Sequence, residues 1–176
     1  MPLLPPERLL ISTARSTFES LALLYADAAP PAEPPDGTAL AAHVAFSGVA
    51  DGESVEGVLA VAVTDDVAAA LAENMLGAAA AGPTERRDAV GEFANVVCGH
   101  VLSAAAGPEA VFSLAAPAPA PGAAVGDGPR AVWRAWLDVE GGRACVTLDV
   151  PDTFFPAHAG DAPAGAPAGR RAGGHA

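Results

Sequence analysis

Four positions between residues 88 and 99 share one face of a predicted helix. They are two carboxylates, an amide and a glycine: Asp88, Glu92, Asn95 and Gly99. At about 100° per residue they fall within roughly 60° of one another, while the apolar residues of the segment gather on the opposite side. This polar stripe presents Glu92 and Asn95 side by side on a helix, which holds reactive groups more firmly than a loop does.

The side chains of the polar stripe are suited to positioning a water molecule or to docking a charged partner. The amide of Asn95 can donate and accept hydrogen bonds at once and so orient a water. The carboxylate of Glu92, one turn away, can pair with a cation on a partner. Neither group is a strong nucleophile, so the expected use is to position water or to dock a charged partner. Any metal would be supplied from elsewhere. The alternative is a merely solvated helix face, on which Asp, Glu and Asn are ordinary residues.

The elements around the polar stripe predict an α/β (α+β) domain in which helices pack on a mostly antiparallel sheet. Apolar residues three or four apart predict helices over residues 7–26, 65–77 and 84–106. Alternating or continuous apolar runs predict strands over residues 40–47, 55–63, 111–116, 131–139 and 143–150. The second of these strands is apolar on both sides of its pleat, which predicts a central strand covered on both faces.

We expect one domain over residues 1–155 and a disordered tail over residues 156–176. The chain has 176 residues, and a single core of that size buries roughly two thirds of the unfolded surface. The tail is rich in Gly, Pro and Ala and cannot bury enough apolar area to offset its ordering entropy. The proline-rich segment 28–37 is predicted to be a surface connection.

Charge and composition exclude several classes of function. The formal net charge of −12 argues against nucleic acid and against an anionic membrane surface as partners. We find no membrane-length run of strongly apolar residues and no secretory signal, and we expect a cytoplasmic protein. No Gly-rich phosphate loop supports nucleotide binding. Cys98 and Cys145 lack the spacing of a zinc site and are interpreted as small buried or half-buried residues.

The segment that carries the polar stripe resembles the signature of the CheC/CheX/FliY family of chemotaxis phosphatases. It reads Asp-Ala-Val-Gly-Glu-Phe-Ala-Asn-Val-Val-Cys-Gly over residues 88–99, and the family has an acidic or serine residue, Glu four later, Asn three later and a closing Gly. Residues 57–77 resemble the strand and helix of the family, and residues 114–117 resemble its strand with a proline. The single Glu-x-x-Asn motif favours the CheX-like branch, because the CheC-like branch carries two. His100, interpreted as structural, departs from the pattern.

The resemblance implies a CheC-like fold and a phosphatase that hydrolyses the aspartyl phosphate of a response-regulator receiver domain such as CheY. Asn95 would orient the attacking water, Glu92 would pair with the receiver's active-site lysine, and Asp88 and Gly99 are candidate partner-binding residues. No cofactor of the chain's own is implied, because the receiver supplies Mg²⁺. A homodimer formed through the sheet is also implied. The alternative is a non-catalytic receiver-binding adaptor, or a flagellar-switch-like assembly module, of the same fold.

Overall fold

The described part of the chain folds into three α-helices packed on a seven-stranded sheet. The computed structural model describes residues 5–31, 40–77, 81–107, 109–119 and 129–155. The helices are α1 Pro6–Leu21, α2 Asp65–Leu76 and α3 Pro83–Ala106, and a short 3-10 helix spans Asp152–Phe154. The strands are β1 Ala26–Ala28, β2 Leu40–Ala50, β3 Glu53–Val63, β4 Val111–Leu114, β5 Ala118–Pro119, β6 Arg130–Val139 and β7 Gly142–Pro151. The predicted tail over residues 156–176 lies outside the described residues.

The sheet confirms the predicted fold class. Its strand order is β1-β6-β7-β3-β2-β4, with β5 also paired to β2. Every pairing among the described strands is antiparallel. The described helices lie together on one face, because α3 packs against both α1 and α2. The result is a two-layer arrangement whose core lies between the helices and that face of the sheet.

Strand β3 is central, as predicted, but in the described part of the chain its second face is covered less completely than its first. Leu59, Val61 and Val63 are fully buried toward the helices. Ala60 and Ala62 point to the other face and are only half-buried. Because the outer-face residues are alanines, the sequence of the strand is apolar throughout. Alanine is nevertheless tolerated at positions that are only partly covered.

Strands β2 and β3 are longer than predicted because the turn between them uses only two residues. The predicted strands end at Ser47 and begin again at Val55, whereas β2 and β3 are separated by Asp51 and Gly52 alone. The φ angles of these two residues are 50° and 83°. Two successive positive φ values form the tight hairpin turn whose twist matches that of the flanking strands.

Helix α1 is shorter than predicted, and a strand that was not predicted follows it. The helix ends at Leu21, five residues before the predicted end at Ala26. Leu23 takes a positive φ of 55°, and the chain then enters β1, which pairs with β6. The apolar spacing continues through Leu21 and Tyr25, but both side chains are exposed. Pairing with a distant strand therefore ends this helix, and local periodicity cannot show it.

The packing of α1 against α3 sets the rotation of α3 about its own axis. The rings of Phe18 and Phe93 are both fully buried, with centroids 4.2 Å apart. Thr17, also fully buried, has its Oγ1 3.1 Å from Nδ1 of His100. His100 therefore links α3 to α1, in line with its interpretation as a structural residue.

The two cysteines are free, and their burial makes a prediction about their reactivity. Burial raises the pKa of the fully buried Cys98 thiol to about 12. At pH 8 only about one such thiol in ten thousand is the reactive thiolate. We expect Cys98 not to react with a disulfide reagent at pH 8 in the native protein, and both cysteines to react in urea. Rapid modification of two thiols per native chain would contradict this.

Candidate functional site

The helix that carries the polar stripe is defined at both ends by residues with a clear conformational role. Gly82 occupies the N-cap and Pro83 the first turn, where the missing proline N–H costs no hydrogen bond. Gly107 ends the helix with a φ of 77°, which glycine adopts without strain. The helix spans 24 residues, one more at its start than predicted.

The rotation of α3 places the polar stripe on the side away from the core, as the helical spacing predicts. Asp88 and Glu92 are exposed, and Asn95 and Gly99 are half-buried. The opposite side of α3 is buried over nine residues: Ala89, Val90, Gly91, Phe93, Ala94, Val97, Cys98, Val101 and Leu102. The structure thus brings all four predicted site residues together on one surface.

Helix α3 is also the one described helix that is long and apolar enough to cross a membrane, by length and composition alone. Half of its most apolar window is buried inside the protein. Phe93, within that buried face, stacks on Phe18 of α1. A core helix of a globular protein meets the same criterion of length and composition.

The two residues proposed for chemistry are available to a partner. Within the part of the chain that the structure describes, the side chains of Glu92 and Asn95 have no hydrogen-bond or ion-pair partner. Residues three apart on a helix have Cβ atoms about 5–6 Å from each other, so one ligand can contact both side chains. The geometry suits a water or a phosphoryl group held between an amide and a carboxylate.

The start of α3 is anchored to the rest of the fold by Arg86. Its guanidinium pairs with the carboxylate of Asp65 in α2, and its Nε donates a hydrogen bond to the carbonyl oxygen of Ala81 at 2.9 Å. These contacts fix the first turn of α3 against the first turn of α2. Helix α3 is therefore held at its first turn by Arg86 and near Glu92 by the packing of Phe93 against Phe18.

An open groove of about 360 Å³ adjoins the polar stripe. One wall is the first half of α3, and the other is formed by the start of β2 and the chain around β5. The described residues that line it are Ala41, Ala42, Arg87, Asp88, Gly91, Glu92, Pro117, Ala118 and Pro119. The groove is therefore apolar on the sheet side and charged on the helix side, and it shares Asp88 and Glu92 with the polar stripe.

Three residues of the groove were not predicted from the sequence as site residues: Arg87, Gly91 and Pro117. A Cβ atom on Gly91 would lie 3.3 Å from the Cβ of Pro117, so the glycine lets the segment before β5 lie close against α3. An isolated glycine inside a helical pattern signals such a close approach, and this signal is present in the sequence. Nothing local identifies Pro117 as the segment that approaches.

The described residues of the site do not form a metal centre. Among the residues whose positions are described, no group of three or more His, Cys, Asp or Glu side chains could hold a metal ion. The polar stripe contributes two carboxylates, from Asp88 and Glu92, and one amide, from Asn95. This donor set can contact a charged partner or orient a water.

The two-layer antiparallel α/β fold, with Glu92 and Asn95 three apart on an accessible helix face, is the arrangement that the resemblance to the CheC/CheX/FliY family implies. The family model described as "Chemotaxis phosphatase CheX" matches residues 41–124, a range that includes all of α3. The predicted resemblance to the CheX-like proteins is confirmed by this match. A comparison with curated protein sequences gave no significant match.

Solved structures share the fold at low sequence identity. CheX from Desulfovibrio desulfuricans is 19% identical with a TM-score of 0.62, and the alignment covers 82% of this chain and 98% of that one. CheX from Vibrio vulnificus is 15% identical with a TM-score of 0.62, covering 85% and 99%. A CheX–CheY–BeF3–Mg²⁺ complex from Borrelia burgdorferi is 15% identical with a TM-score of 0.54, covering 82% and 96%. These likenesses establish the fold.

Proposed function

We propose that this chain hydrolyses the aspartyl phosphate of a CheY-like response-regulator receiver domain, with Glu92 and Asn95 as its catalytic residues. The observation that carries the proposal is the placement of these two side chains. They lie next to each other on the accessible face of a helix, and the opposite face of that helix is buried in the core. The match of the CheX family model across this helix supports it, as does the fold shared with a CheX protein in complex with CheY.

Asn95 is proposed to hold the attacking water in line with the phosphorus–oxygen bond that breaks. Its carbonyl oxygen accepts a hydrogen bond from the water, while its NH₂ group donates to a phosphoryl oxygen. Hydrolysis then regenerates the receiver carboxylate and releases inorganic phosphate. Phosphoryl transfer depends mainly on such positioning and on electrostatic stabilisation, so a single well-placed amide is a sufficient catalytic contribution from this chain.

Glu92 is proposed to pair with the active-site lysine of the receiver. This ion pair would place the receiver so that its acyl phosphate faces Asn95, one turn along the same helix. The Mg²⁺ bound by the receiver neutralises phosphoryl oxygens, and the chain needs no metal of its own. Receiver domains act in the cytoplasm, which is therefore the proposed location of this chain.

The proposal is tested by following loss of phosphate from an acyl-phosphorylated CheY-like receiver in Mg²⁺. Wild type and Glu92→Gln are added at catalytic amounts to each receiver of a panel. We expect wild type to accelerate dephosphorylation, and Glu92→Gln, which keeps the shape but loses the charge, to lower kcat/KM at least tenfold. A receiver that binds tightly but keeps its phosphate would contradict the proposal and establish the adaptor function.

Two substitutions at Gly99 test its role in stability and its role in partner binding separately. No atom lies within 4 Å of a Cβ built at Gly99, so the fold does not require a glycine there. We expect Gly99→Ala to raise the free energy of unfolding by about 0.5–1 kcal/mol, measured by urea denaturation. The larger Gly99→Gln is expected to raise KM at least tenfold, since it fills the surface that faces the receiver. Unchanged kinetics in Gly99→Gln would rule out a role in partner binding.

We further propose that the chain forms a homodimer through the edge of its sheet at β4. Val111 in β4 is 74% exposed, and Val49, its partner in β2, is 48% exposed. Among the described strands β4 lies at the edge of the sheet, and exposed apolar side chains on an edge strand favour pairing with a second strand. We expect a dimer by sedimentation velocity at micromolar concentration and a monomer for Val111→Lys. A monomeric wild type would contradict the proposal.

A further inference from the structure

The groove beside the polar stripe is continuous with the proposed catalytic surface. Asp88 and Glu92 belong to both, so a partner seated on Glu92 also lies over the groove. The wall opposite α3 is apolar and consists of prolines and alanines. A groove of about 360 Å³ is at the lower end of the range for ligand pockets and is large enough for an apolar side chain.

Arg87 is the only cation among the described residues that line this groove. Four of the other arginines form ion pairs with carboxylates: Arg15, Arg86, Arg130 and Arg143. Arg87 is exposed, and no described carboxylate pairs with it. In a chain of net charge −12, an exposed arginine beside two carboxylates is a local site for a negatively charged group of a partner.

The position of Arg87 on the helix separates it from the reacting atoms. It lies eight positions before Asn95, which is about 12 Å along the helix axis, and it points to the groove side of the polar stripe. A guanidinium there contacts the receiver next to the catalytic centre, and it does not reach the phosphoryl group that Asn95 faces. Its contribution is to docking and not to the chemical step.

We propose that the groove binds an apolar side chain on the receiver surface and that Arg87 pairs with a receiver carboxylate beside that side chain. This inference rests on the proposed function, because the partner is the phosphorylated receiver domain. Continuity with the proposed catalytic surface supports the choice of partner, since the groove shares Asp88 and Glu92 with the polar stripe. Without Arg87, Asp88 and Glu92 would repel a receiver carboxylate placed beside the groove. Arg87 and the groove would thus determine which receivers the chain accepts.

The test measures binding of a CheY-like receiver loaded with BeF3⁻ and Mg²⁺, a stable mimic of the acyl phosphate. The receiver is one that the wild-type chain dephosphorylates, and the salt concentration is 50 or 300 mM NaCl. We expect Arg87→Glu to raise Kd at least tenfold at low salt and less at high salt, because salt screens the lost ion pair. Ala41→Leu, at an exposed position that lines the groove, is expected to raise Kd to a similar extent at both salt concentrations.

Control measurements show whether a raised Kd in Arg87→Glu comes from the lost contact with the receiver. Arg134→Glu makes the same charge change at an exposed arginine on the outer face of the sheet, and its Kd should equal that of wild type. Hydrolysis at saturating receiver should show kcat within about twofold of wild type for Arg87→Glu, with the loss confined to KM. Urea denaturation of each variant checks that the fold is intact.

The outcomes separate this inference from the proposed function. If wild type dephosphorylates a receiver but Arg87→Glu binds it as tightly as wild type does, the docking role of Arg87 is wrong and the phosphatase stands. A loss in kcat at constant KM would also overturn the docking role, because it would place Arg87 in the chemical step. If wild type dephosphorylates no receiver in the panel, the proposed function fails and this inference fails with it.

Discussion

Replacing Asn95 by alanine is expected to remove catalysed dephosphorylation while leaving the protein folded. The amide is the group proposed to hold the attacking water, and loss of positioning of a reacting group costs at least about a hundredfold in rate. We expect kcat at saturating receiver to fall by that factor or more. The isosteric Asn95→Asp should be equally inactive, because a carboxylate accepts hydrogen bonds but cannot donate one to a phosphoryl oxygen.

The fold should tolerate this change because of where Asn95 lies. Its side chain is half-buried on the side of α3 away from the core and has no hydrogen-bond partner among the described residues. The free energy of unfolding should change by no more than about 0.5 kcal/mol, and alanine is in addition the better helix former. Ser103→Ala, at an exposed position two turns further along α3, is the matched control and should keep full activity. Full activity in Asn95→Ala would refute the mechanism.

Replacing Phe93 by alanine is expected to have the opposite effect, with a large loss of stability. The Phe93 ring is fully buried and lies 4.2 Å from that of Phe18, measured between centroids. Removing a buried phenylalanine side chain costs about 3–5 kcal/mol, from lost burial and from the cavity left behind. Single domains have total stabilities of about 5–15 kcal/mol, so a substantial part of the stability should be lost in urea denaturation.

Two further variants show whether the loss comes from the contact between α1 and α3. Phe93→Leu retains most of the volume and should cost less than Phe93→Ala. The double variant with Phe18→Ala should lose less than the sum of the two single losses, because each removes the same aromatic contact. A cost below about 1 kcal/mol for Phe93→Ala would mean that this contact does not hold α3 in place.

Residues 93 and 95 illustrate what periodicity in the sequence is able to predict. They are two positions apart on a helix, about 200° around its axis, so one must face the core when the other faces away. The alternation of apolar residues in β7 predicts its buried face in the same manner, with Ala144, Val146 and Leu148 buried. Helices and strands with a regular apolar pattern, and the polar stripe on α3, were therefore predictable.

The sequence by itself determined the class of fold, the length of α3 and the grouping of Asp88, Glu92, Asn95 and Gly99, because each depends on residues close together along the chain. Only the tertiary structure decided where α1 ends, that β1 and β5 exist, and that the helices lie on one face of the sheet. It also formed the groove, by placing Pro117 against Gly91. The physical reason is that these features come from contacts between segments distant along the chain, for which local spacing carries no information.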